Sequence, residues 1–94
     1  MTIAHDDEET RTLVTAKLYH FLGTRQTTIC PSEIPRALEK EGLITGWRDF
    51  MDITRHIAFE MREQGILDVL QKGNVVGKEV DLDNIKGPIR LKAI

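Results

Sequence analysis

Arg48, Arg55 and Arg62 recur every seven residues. On an α-helix, rising about 1.5 Å per residue, that spacing sets them roughly 10.5 Å apart along one stripe. Guanidinium groups so arranged suit phosphate oxygens or guanine edges. A second basic set follows in Lys72, Lys78 and Lys86, with Arg90 and Lys92 beyond. Residues 72–94 hold five cations against three acids, a balance that fits a hairpin touching backbone phosphate. Both sets also have a plainer reading. Asp49, Asp52, His56, Glu60 and Glu63 fill the arc beside the arginines, as on a solvated face laced with ion pairs such as Arg48–Asp52. Lysines on surface strands discourage edge pairing. Phe59 falls next to the arginine stripe and outside the apolar arc. It is a candidate anchor for a protein partner or a second copy of the chain, as well as an ordinary exposed apolar residue.

Catalytic chemistry finds little support. Cys30 stands at a helix start, where a thiol is activated. No base accompanies it, because His5, His20 and His56 belong to other segments. The residue reads as a small buried cap, and the three histidines lack metal-ligand spacing. Gly73 and Gly77 form no phosphate-cradling motif. The chain is expected to be no enzyme and to need no cofactor or metal.

Composition sets the frame for these sites. Ninety-four residues make one domain, and 40% hydrophobic residues with 30% charged ones are ordinary globular usage. One cysteine excludes a disulfide framework. The longest apolar run is three residues, far below the ~20 that span a bilayer. An acidic opening in place of a signal or transit peptide makes a cytoplasmic protein the expectation, with no membrane contact. The net charge of −2 conceals an asymmetry. Asp6, Asp7, Glu8 and Glu9 crowd the start, leaving residues 11–94 with 13 basic groups and 11 acidic ones. Residues 1–7 therefore read as an acidic tail and 8–94 as the domain.

Elements able to position the basic groups follow from periodicity. Val14, Leu18, Phe21 and Leu22 predict a helix over 8–22, stopped at Gly23. Residues 25–29 suit a loop entering a very short strand. Cys30-Pro31-Ser32-Glu33 signals a second helix over about 33–41; Cys30 with Glu33 imitates a capping box, but Ser32 as N-cap suits Pro35 better. A third helix runs from Trp47 to Gln64, its core arc formed by Trp47, Phe50, Met51, Ile53, Thr54, Ile57, Ala58 and Met61. Strands are expected at 66–71 and 89–93, with a turn at Lys72-Gly73-Asn74 and an irregular stretch over 75–87. The order helix, strand, helix, helix, strand, wing, strand is an α+β winged helix-turn-helix, with three helices and a small three-stranded antiparallel sheet. The short strand after the first helix is expected to complete that sheet, since two strands alone are marginal.

The pieces Thr28-Ile29-Cys30-Pro31-Ser32-Glu33, Arg36-Ala37-Leu38, Trp47-Arg48, Gln71-Lys72-Gly73 and Gly87-Pro88-Ile89-Arg90-Leu91 resemble a family of small uncharacterised proteins. That family is a domain of unknown function found mainly in bacteria, and the resemblance, covering about residues 12–93, implies a winged-helix fold. Pro35 departs from it, standing where a small helix former is more usual. The stretch from Gly77 to Asp83 is longer than usual. The residues themselves carry two functional expectations. One is a regulatory module binding double-stranded DNA through the third helix (Arg48, Arg55, Arg62) and the wing (Lys72, Lys78, Lys86). The other is a protein-interaction domain built on Phe59 that binds no nucleic acid.

Overall fold

Residues 8–94 are described by the structure, a computed structural model. The acidic tail expected over residues 1–7 lies outside them. Helix α1 (Glu8–Thr24) buries Val14, Leu18 and Leu22 at four-residue intervals. It runs through Gly23, where the sequence predicts its end. One glycine costs a helix only about 1 kcal/mol, and the turn is closed by Arg25 N–H donating to Phe21 O at 2.8 Å.

Helix α2 (Glu33–Lys40) combines features of both predicted starts. Ser32 is the N-cap residue, but its side chain makes no cap bond. The Glu33 carboxylate instead reaches back to accept the Cys30 N–H at 2.8 Å, the return half of a capping box. Pro35 is buried at the third helical position, where no intrahelical N–H is required.

The third helical run divides in two. A 3₁₀ turn (Trp47–Phe50) leads into α3 (Met51–Glu63). With three residues per turn instead of 3.6, the 3₁₀ segment advances faster and carries Trp47 off the core arc to a half-buried position. The run ends in a Schellman motif at Gly65, whose φ of 77° favours a residue without Cβ. There Gly65 N–H donates to Arg62 O and Ile66 N–H to Met61 O, both at 3.0 Å.

Strands β1 (Leu67–Gln71), β2 (Asn74–Val75) and β3 (Arg90–Ala93) form an antiparallel sheet in the order β2-β1-β3. Lys72 (φ 53°) and Gly73 (φ 82°) make a two-residue turn with positive φ at both positions, so Asn74 already belongs to β2. On the other side β1 pairs with β3 from Leu67↔Ala93 to Leu70↔Arg90. The strand expected between the first two helices is a single bridge, Ile29↔Leu91. Three helices with this small sheet are the α+β arrangement of a winged helix-turn-helix. Val14, Leu18, Ile34, Leu38, Ile57, Leu67, Val69 and Leu91 make its core.

The long excursion from β2 to β3 is the wing. It folds back over α3, with Ile85 buried and Val76, Val80 and Leu82 packed against the core. Arg62 fastens it. This side chain is 2% exposed and donates to the carbonyls of Gly77 (3.4 Å), Lys78 (3.4 Å) and Val80 (2.9 Å). Its guanidinium carbon also lies 4.5 Å from the Phe59 ring centroid. Arg62→Leu keeps bulk but removes those donors. The expected result is a loss of about 2 kcal/mol of stability in urea unfolding. Amide hydrogen exchange should accelerate over residues 76–85, ahead of the rest of the chain.

Candidate functional site

The three arginines predicted as one exposed stripe go to three different environments. Arg48 is exposed in the 3₁₀ turn, and Arg55 is half-buried against the wing. Arg62 is buried, so it is withdrawn from any surface that nucleic acid could touch; its charge serves the wing carbonyls. Phe59 is corrected in the same way. It is 8% exposed and packs under the Arg62 guanidinium, so it offers no anchor to a partner. Both corrections have one physical cause. The wing covers the edge of the third helix that a lone helical wheel leaves open to solvent.

Of the wing cations, Lys72 projects from the hairpin tip, and Lys78 and Lys86 are exposed. The Lys86 carbonyl accepts a hydrogen bond from Gln71 Nε2. On β3, Arg90 Nε donates to Thr28 Oγ1 at 3.1 Å, and Lys92 sits opposite Asp68. These lysines and the arginine stripe therefore do not merge into one face on the third helix. The exposed side of α3 carries Asp52, His56, Glu60 and Glu63. Glu60 there pairs with Arg11 of α1 at 2.5 Å.

A cationic cluster that sequence reasoning missed lies where α2 meets the 3₁₀ turn. The guanidinium carbons of Arg36 and Arg48 lie 5.3 and 4.7 Å from the Trp47 ring centroid. Trp47 is thus a platform for two cations instead of a core residue. Glu39 of α2 fixes it in place: one carboxylate oxygen accepts Gly46 N–H at 2.6 Å and Trp47 N–H at 3.2 Å. Those bonds satisfy donors at the start of the third helical run, where negative charge is favoured. The adjacent Trp47-Arg48 pair was the available signal, but Arg36 comes from eleven residues upstream.

Behind α2, a groove lined by Phe21, Arg25, Glu33, Arg36, Ala37 and Lys40 extends the basic surface. Arg25 donates to Glu33 at 2.5 Å and lies 5.5 Å from the Phe21 centroid. Burial pushes the Glu33 carboxyl pKa up, but the bonds from Arg25 and Cys30 N–H outweigh it, with the charges of Arg25 and Arg90 adding, and the net direction is down. Cys30 Sγ stands 3.2 Å from Ser32 Oγ. Among the described residues, no group of three His, Cys, Asp or Glu side chains could hold a metal ion. No helix there is long and apolar enough to cross a membrane.

The chain is thus an α+β domain of winged-helix form, with a cationic aromatic platform at its helix-turn-helix corner. Residues 11–94 match the model of the protein of unknown function family DUF3253, and the chain belongs to that family. No curated protein matches it.

Glu33 gives a pH test of the α2 start. Its pKa is lower folded than unfolded, so its contribution is complete above the unfolded value of about 4.5 and disappears as pH falls through the folded one. Glu33→Gln should therefore lower stability at pH 7 and flatten the acid limb of the stability–pH curve below about pH 4.5, as followed by circular dichroism.

Proposed function

We propose that this domain is a regulatory, cytoplasmic DNA-binding module without catalytic activity, gripping duplex DNA by its phosphates. The observation that carries the reading is the Arg36–Trp47–Arg48 cluster, its two arginines exposed and its tryptophan anchored by Glu39 where the third helical run begins. In helix-turn-helix docking this end of the helix approaches the groove while the preceding helix crosses the backbone. Arginines lying on an aromatic ring give up less side-chain freedom on meeting phosphate than free ones do. Lys72 at the hairpin tip provides a contact on the wing side, and Lys78 and Lys86 add charge along it. The acids on the middle of α3 oppose deep insertion. Contact therefore concentrates at the helix start and the wing, leaving base readout to Arg48.

Fluorescence anisotropy with mixed-sequence duplex DNA at about 50 and 200 mM salt tests this, because phosphate contacts lose affinity steeply across that range. Micromolar binding that weakens with salt is expected. Arg36→Ala, Arg48→Ala and Lys72→Ala should each weaken it and reduce the salt slope by about one. Absence of binding at the lower salt would refute the proposal.

A further inference from the structure

Between α3 and the wing's 3₁₀ turn (Leu82–Asn84) lies a pocket of about 320 Å³. Asp52, Arg55, His56, Leu82, Asp83 and Ile85 line it. Arg55 Nε is shielded from solvent and has no hydrogen-bond partner. Nor does the guanidinium form an ion pair with any described residue, although Asp52 stands one helical turn before it. Arg62 shows the contrast: its Nε is equally bare, but its terminal nitrogens hold the wing. The Nε–H of Arg55 has lost hydration without recovering it elsewhere, while the terminal nitrogens of Arg55 stay accessible. A ligand with a planar acceptor pair would suit those terminal nitrogens, since carboxylate matches the guanidinium fork.

The remaining lining narrows the ligand. Asp52 and Asp83 repel a simple anion, so the group that meets Arg55 must bring positive charge with it. Leu82 and the buried Ile85 complete a lining that is mainly polar, and the volume lies at the small end of ligand pockets. We propose that this pocket binds a small amino-acid zwitterion, with its carboxylate on Arg55 and its ammonium on Asp52 and Asp83. The site is separate from the cationic cluster at the helix-turn-helix corner, because Arg36, Trp47 and Arg48 do not line it. Its occupation bridges α3 and the wing. The wing is therefore the part of the domain that the ligand holds in place.

Thermal unfolding of the full chain tests the site without reference to DNA. The probes are glycine, L-alanine, L-serine and L-valine, with acetate and methylamine as half-ligands. At ten times its Kd, a ligand bound only by the folded state raises Tm by roughly 5–10 °C for a domain of this size. At least one zwitterion should produce this rise, acetate and methylamine should not, and both Arg55→Gln and Asp83→Asn should abolish it. Each variant should keep its own cooperative transition, and if one does not fold the other carries the test. No rise with any zwitterion, a full rise with acetate alone, or a rise retained in a folded variant would overturn the assignment.

Discussion

A single buried cation holds the wing to the helices. Arg62 spends its donors on three wing carbonyls and lays its flat face on Phe59. Among the described residues, its ion-pair partner is the exposed Glu63 carboxylate at 3.3 Å. Irregular backbone cannot satisfy its own carbonyls as a strand does, and loops therefore usually remain at the surface. An arginine under the loop removes that restriction. Its fork meets carbonyls that run in no regular pattern, and its stem packs among apolar side chains. Burial of Ile85 and Phe59, and the pocket beside Arg55, all follow from having the loop held there.

Charge is distributed accordingly. Cations gather in two places, Arg36 and Arg48 at the helix-turn-helix corner and Lys72 at the hairpin tip. Acids occupy the exposed face of α3. With charges screened over about 8–10 Å in physiological salt, such clusters act locally, and the net charge of −2 is a poor guide to either. Trp47 matters here because its ring centroid lies 5.3 Å from one guanidinium carbon and 4.7 Å from the other.

Local patterns were legible. The period of α1, the Gly65 stop, the turn at Lys72-Gly73 and the apolar–basic alternation of β3 each reflect backbone geometry set by near neighbours. The three helices and the small antiparallel sheet follow from them. What was hidden depends on residues distant in sequence. Phe59 and Arg62 look exposed on a helical wheel because a wheel does not include the loop that returns fifteen or more residues later. Trp47 looks like core because the wheel assumes 100° per residue and the chain there winds more tightly. The candidate site was legible only in Arg48 and the hairpin lysines. Arg36 joins them through a fold-level contact, and a pocket requires both of its walls.

The Ile29↔Leu91 bridge has a bearing on how the chain is made. Two backbone hydrogen bonds, at 2.7 and 2.8 Å, tie the connector between α1 and α2 to β3, the final strand of the described residues. The central strand β1 also needs β3 along four of its residues. During synthesis the helices can form as they emerge, but the sheet that closes over them cannot. Until residues 90–93 leave the ribosome, β1 has only the two-residue β2 beside it, and its other edge lacks the partner strand that carries Leu91. Such late, non-local pairing is slow and leaves apolar surface open meanwhile. Completion of the sheet is thus timed by the arrival of β3.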